Sequence, residues 1–263
     1  MKDFENNTRA FSKINAYWLG MASKIAYANK NVIQQNIAKW GLHDFEFFEH
    51  KDTQAFIAGN DKTLVLTFRG TEPTNPKDWS TDFNAAFTAG PGGMVHEGFL
   101  IALNYVWSDI WNYIRENRKS RSLWVTGHSL GGALATLAAA KLRLEKDEPI
   151  NGLYTFGQPR AGNRDFANRF DSDFSTQTFR YVNNADMVPR VPPRISGYSH
   201  VGTFRYFDDK GNEDDTMDWF DQIVDRAEGV IESILNSDKW KKGLLHHPMD
   251  RYIECLEKAA YPE

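Results

Sequence analysis

A chain of 263 residues with a formal net charge of -4 carries no basic patch for nucleic acid, while 41% hydrophobic and 14% aromatic residues are enough to fill one large core. Its single cysteine, Cys255, excludes an intrachain disulfide, so folding does not depend on an oxidising compartment. The N-terminus has no apolar h-region and no 18-residue apolar run occurs, which predicts neither signal peptide nor membrane span: a cytoplasmic chain, or a secreted one whose signal has been removed.

Residues 10–28 place Phe11, Ile14, Trp18, Met21, Ala22 and Ile25 at three- and four-residue spacings, which predicts an amphipathic helix packed on a sheet rather than a membrane anchor. Residues 45–50 and 53–58 read as a hairpin, and residues 63–68 (Thr-Leu-Val-Leu-Thr-Phe) as a buried central strand. After Arg69-Gly70-Thr71 the composition shifts. Pro73 and Pro76 precede residues 78–87, where Trp79, Phe83 and Phe87 fall on one helical face before Gly90-Pro91-Gly92-Gly93. That aromatic stripe is either a core helix or a hinged lid with an apolar underside.

Residues 96–117 hold Phe99, Leu100, Leu103, Val106, Trp107, Ile110, Trp111 and Ile114 in helical register. Next comes the most informative stretch, residues 123–140: Leu-Trp-Val-Thr-Gly-His-Ser-Leu-Gly-Gly-Ala-Leu-Ala-Thr-Leu-Ala-Ala-Ala. A short apolar run enters a Gly-x-Ser-x-Gly turn, and an alanine-rich, helix-favouring segment leaves it. Strand, sharp turn and helix hold Ser129 in a strained backbone with Oγ at a helix N-terminus, and the flanking glycines relieve the crowding. Further strands are predicted at residues 152–157 and 177–182, an edge hairpin beginning at 200–207, and a long helix at 214–235. No repeat, low-complexity tract or long linker divides the chain, so one domain over 1–263 is expected. Strands alternating with helices predict an α/β fold, a mostly parallel central sheet with helices on both faces.

A serine hydroxyl needs an imidazole to take its proton, and the imidazole needs a carboxylate to fix its tautomer. In strand–turn–helix hydrolases the chain order is Ser, then Asp or Glu, then His. After Ser129 the histidines are His200, His246 and His247. Asp186 follows the strand predicted at 177–182, a position from which a loop would aim it at the site, whereas Asp165, Asp171 and Asp173 lack that placement. Charge on the carbonyl oxygen of a substrate calls for preorganised donors, one being the backbone N–H of Leu130 at the helix N-terminus. No His-x-x-x-His or cysteine cluster occurs and the acidic loop at 208–215 lacks calcium-loop spacing, so neither metal nor cofactor is expected.

Phe68-Arg-Gly-Thr71, Trp79-x-x-Asp82, His96-x-Gly-Phe99, Thr126-Gly-His-Ser-Leu-Gly-Gly132, Thr155-Phe-Gly-x-Pro-Arg160 and Asp186-x-Val-Pro189 occur in this order. Together they resemble the class 3 lipase family, the fungal-type triacylglycerol lipases of the α/β-hydrolase superfamily, over about three-quarters of the chain. The resemblance implies the α/β-hydrolase fold, with Ser129 as nucleophile and Asp186 as triad acid. It implies His247 as base, because His247-Pro-Met-Asp-Arg-Tyr252 fits the family's His-x-Met-x-x-Tyr setting and His246 does not. Thr71 would be the second oxyanion donor, and residues 72–90 a lid whose Trp79 and Phe83 meet acyl chains or a lipid–water interface. Phe99, Val188 and Val191 are expected beside the acyl pocket, and His200 as a structural hydrogen-bonder. The implied activity is hydrolysis of acylglycerol esters, with a phospholipase A1-type enzyme, a galactolipase or a short-chain esterase as alternatives in the same chemistry. A binding module that keeps the fold without catalysis is the alternative from another class, and relatives of that kind usually lose triad members.

Overall fold

The structure, a computed structural model, describes residues 1–71, 86–214 and 243–262. Its central sheet has eight strands among these residues: β1 (Asp44–His50), β2 (Thr53–Gly59), β3 (Thr63–Phe68), β6 (Ser122–His128), β7 (Gly152–Phe156), β9 (Thr178–Asn183), β11 (Thr203–Phe207) and β12 (Glu213–Asp214), in that spatial order. The five strands from β3 to β11 run parallel, while β1 pairs antiparallel with β2, β2 with β3 and β12 with β11. A second sheet, entirely antiparallel, orders β10 (Tyr198–Ser199), β8 (Gly162–Asn163), β5 (Gly93–His96) and β4 (Phe87–Gly90). Phe87 therefore opens a strand and does not continue a helix. The sequence 90–93 is the turn between β4 and β5, with Gly92 at φ +83°.

Strand alternation splits the core in two. Leu64, Leu66, Phe68, Leu123 and Val125 face α3 (Glu97–Asn117), α4 (Leu130–Lys146) and α5 (Arg164–Phe174). Val65, Trp124, Tyr154, Phe156 and Tyr181 face α1 (Lys13–Ile25), α2 (Lys30–Lys39) and α6 (Met249–Ala260). This is the α/β-hydrolase arrangement expected from the sequence. The face that α1 buries differs from the aromatic one expected. Its fully buried positions are Asn15, Ala16, Leu19, Gly20, Ala22 and Ser23, with Phe11, Trp18, Met21 and Ile25 only half-buried along the flank. Small residues let the helix approach closely, and Ser23 Oγ meets Thr126 Oγ1 on β6 at 2.9 Å.

The hairpin β1–β2, the strands β3, β6, β7 and β9 and the helices α3 and α4 fall within a few residues of where the pattern places them, whereas α2, α5, α6 and the strands of the second sheet were not predicted. His96 caps α3, accepting from Phe99 N, and so lies just outside the helix predicted to include it. The predicted strand at 200–207 starts only at Thr203, because Gly202 turns the chain at φ +72° between the two sheets. The helix predicted at 214–235 lies, apart from Asp214 in β12, outside the described residues.

Candidate active site

The turn at Gly127–Gly131 brings β6 into α4 within a single residue, and that residue is Ser129 at φ 57°, ψ -132°. Glycine is required on either side by close approach. A Cβ on Gly127 would sit 2.2 Å from Gly131 O, and one on Gly131 would sit 2.3 Å from Phe68 O. Ser129 N donates to Phe156 O at 2.9 Å, tying the turn to the end of β7. Ser129 is fully buried, and its hydroxyl makes no capping bond to α4, so the strained conformation is not explained by helix capping.

Asp186 sits in the loop following β9, fully buried. Its Oδ2 accepts from His247 Nδ1 at 2.9 Å and from the Tyr252 hydroxyl at 2.6 Å, while Oδ1 accepts from Val188 N at 3.0 Å. Burial alone would raise its pKa, but the His247 imidazole and the hydroxyl and amide donors outweigh it and hold the carboxyl below its usual range. The carboxylate thus fixes His247 with the proton on Nδ1, leaving Nε2 as the basic nitrogen. The backbone makes room for this pair at Gly157, φ +57°, where a Cβ would lie 2.9 Å from both Asp186 Oδ2 and His247 Nδ1.

The other two histidines considered have different partners. His246 offers its main-chain oxygen to Asn183 Nδ2 at 3.0 Å, and its ring lines a cleft of about 560 Å³ with Asn184, Asp208, Arg251 and Cys255. His200 is half-buried with Nε2 on Pro189 O at 2.7 Å, bracing the loop that carries Asp186. Burial, with Arg180 and Arg160 nearby, pushes His200 well below the ordinary imidazole range.

Leu130 is the first residue of α4, where an amide has no acceptor within the helix. Thr71 is exposed and follows Gly70, whose Cα backs onto the elbow: a Cβ there would lie 3.2 Å from Ser129 Cβ. Phe99, Val188 and Val191 are all buried in the core cluster shared with α3, and Leu130 packs against the same cluster. Phe99 is stacked on His96 with ring centroids 3.9 Å apart. Trp79 and Phe83, and all of the predicted lid except residues 86–90, lie outside the described residues. Among the described residues no group of His, Cys, Asp or Glu is placed to hold a metal ion, and no helix is long and apolar enough to cross a membrane.

Sequence reasoning gives no role to Tyr252, Asn183 or Tyr27. Tyr252 Oη, besides donating to Asp186, accepts from Asn183 N at 3.1 Å. The available signal was its place one turn into α6, five residues after His247.

Known proteins similar to this chain are lipases. The sequence model of the family Lipase (class 3) matches residues 65–196. The triacylglycerol lipase OBL1 of Arabidopsis thaliana is 31% identical, covering 73% of this chain and 49% of its own length. The secreted mono- and diacylglycerol lipase 1 of Fusarium solani is 35% identical, covering 73% of this chain and 58% of its own. The chain thus spans about half the length of the curated relatives it matches. Among solved structures, the triacylglyceride lipase of Rhizomucor miehei superposes with a TM-score of 0.61 at 31% identity, over 76% of this chain and 83% of that one. A fungal lipase–inhibitor complex gives 0.64 at 27% identity, over 88% and 96%.

Proposed function

Because the chain belongs to the class 3 lipase family, we propose that it is a serine carboxylic ester hydrolase acting as a triacylglycerol lipase, with Ser129, Asp186 and His247 as its triad. The observations that carry the reading are a strained Ser129 elbow and an imidazole whose Nδ1 is held at 2.9 Å by a buried carboxylate. In this reading His247 Nε2 takes the Ser129 proton as Oγ attacks the ester carbonyl, and the proton then goes to the leaving alcohol. Water, deprotonated by the same nitrogen, releases the fatty acid from the acyl-enzyme. The amides of Leu130 and Thr71, with the Thr71 hydroxyl, are the oxyanion donors of the proposal, of a kind worth about 3–4 kcal/mol each in acyl transfer. Asp186 keeps the imidazole in the required tautomer and stabilises its cation. Phe99, Val188 and Val191 are proposed to bound the acyl pocket, with Trp79 and Phe83 meeting the acyl chain or a lipid–water interface.

The test is hydrolysis of nitrophenyl esters of increasing acyl length and of emulsified triacylglycerol, with Ser129→Ala alongside. Activity on emulsified long-chain triacylglycerol, rising above the solubility limit and lost in Ser129→Ala, is the expected result. Activity confined to short soluble esters would replace the lipase with an esterase. Cleavage only of phospholipid or galactolipid would change the head group, and undiminished hydrolysis by Ser129→Ala would overturn the site.

A further inference from the structure

Next to the Ser129 elbow a second imidazole is clamped at both ring nitrogens. His128 Nε2 lies 2.8 Å from the main-chain oxygen of His247, and His128 Nδ1 lies 2.7 Å from the Tyr27 hydroxyl. A carbonyl only accepts, so the ring proton sits on Nε2, which makes Nδ1 an acceptor and the Tyr27 hydroxyl its donor. The His128 ring also stacks on that of His247, with centroids 4.4 Å apart and planes at 30°, and Tyr252 meets it edge-on at 5.8 Å. His128 is therefore joined to the proposed base twice, through its main chain and through its ring.

Given the hydrolase reading above, on which it rests, we propose that Tyr27 and His128 are a positioning strut for His247. The strut sets the height of the His247 backbone above the elbow and the tilt of its ring, while Asp186 sets the rotation about Nδ1. Tyr27 acts through His128 by dictating its tautomer. The groups facing His128 are Tyr27, Tyr252, the His247 ring and the Asp186 carboxylate, with the Arg69 guanidinium over the Tyr27 ring at 5.7 Å. Burial, followed by the adjacent His247 ring, holds His128 down at about 3. An imidazolium formed on His247 during acyl transfer is then flanked by a neutral, polarisable ring and not by a second cation.

The test uses the whole chain with Tyr27→Phe, His128→Phe and His128→Gln, assayed on a soluble nitrophenyl ester. His128→Phe keeps a ring but loses both hydrogen bonds. A fall in kcat of about 10- to 100-fold with KM nearly unchanged is expected, as for misplacement of a catalytic group by a fraction of an ångström. His128→Gln, which restores a donor toward the His247 carbonyl, should recover part of the loss, and Tyr27→Phe should cost about 3- to 10-fold. Unchanged kcat in His128→Phe, or a change confined to KM, would overturn the strut. The second readout needs no activity: in ¹⁵N-histidine-labelled protein, His128 should give the neutral Nε2–H tautomer from pH 5 to 8, and Tyr27→Phe should shift the His128 Nδ1 and His247 ring resonances. A Nδ1–H tautomer, titration in that range, or unmoved His247 signals would refute the proposal, even if His128→Phe fails to fold. Absence of ester hydrolysis in the unmodified chain would instead count against the hydrolase reading, leaving the resonances to decide the strut.

Discussion

Replacing Tyr252 by phenylalanine removes one oxygen from a buried junction of three groups and leaves the packing in place. The ring is fully buried, edge-on to Phe156 at 6.2 Å, and phenylalanine preserves that contact, so no cavity contributes. What is lost is a donor to the Asp186 carboxylate at 2.6 Å and the acceptor for Asn183 N at 3.1 Å. A hydrogen bond to a charged group contributes about 1.5–3 kcal/mol, and a buried N–H left without an acceptor costs about 1–3 more. The expected loss is about 3–5 kcal/mol, a large share of the roughly 5–15 kcal/mol that holds a domain of this kind together. Urea unfolding should therefore show a lower midpoint with unchanged slope. The Asp186 pKa is depressed in the folded chain, so its contribution is present above the unfolded value near 4 and is lost as pH falls through the folded one. Without the hydroxyl the folded value rises and that contribution shrinks, so the variant's deficit is full at pH 7 and narrows only below about pH 4. A deficit under about 0.5 kcal/mol, or one that vanishes between pH 7 and 5, would refute the reasoning.

Ser129→Gly should abolish ester hydrolysis yet raise stability by about 1 kcal/mol, because it relieves a positive φ and removes no cap; a lower urea midpoint than the unmodified chain would refute the strain. His247→Ala should cost at least about a thousandfold in kcat on a nitrophenyl ester, whereas His200→Ala should cost far less and appear mainly as lost stability, since its bond to Pro189 O braces a loop; the reverse order would move the base to His200. His96 and His128 are buried and His200 is half-buried, and all three are depressed, to about 4, to about 3 and well below the ordinary value respectively. The unfolded chain takes up those protons near pH 6.5 while the native chain does not, so stability should fall by up to about 4 kcal/mol per pH unit as pH drops from 6.5 toward 4. Urea midpoints that stay level between pH 7 and 5 would show that these rings charge without unfolding.

Much of the scaffold is legible in the pattern, for reasons that differ between elements. Thr63–Phe68 is continuous in β-formers because both its faces are buried, and the strand runs between those residues. Residues 97–117 show their register because α3 has one apolar face and one wet face. Alternation does not announce β8 and β10, which are two residues long and exist only as pairing partners. α2 has too few apolar residues to carry a periodic signal, with only Ile33 and Ile37 buried, whereas α5 does carry Phe166, Phe170 and Phe174 at four-residue spacing, a signal within reach of the pattern. The buried face of α1 misleads because contact with β6 selects small side chains and pushes the aromatic ones to the flank.

At the site, the local sequence by itself determined the elbow: Gly127 and Gly131 flank a serine at a strand–helix junction that no bulkier residue could make. It also determined the chain order of serine, aspartate and histidine, because these are properties of a string. Only the tertiary structure decided which imidazole meets the carboxylate. His246 and His247 are neighbours in one short turn, where successive side chains leave the backbone in different directions, and the end of β9 brings Asp186 to His247 and Asn183 to the main chain of His246. Tyr27, His128 and Tyr252 converge on that pair from positions 27, 128 and 252. Tyr252 is tied to His247 by its five-residue spacing, but no periodicity or spacing could relate Tyr27 and His128 to Asp186 and His247, since it is burial against the sheet that brings them within hydrogen-bonding distance.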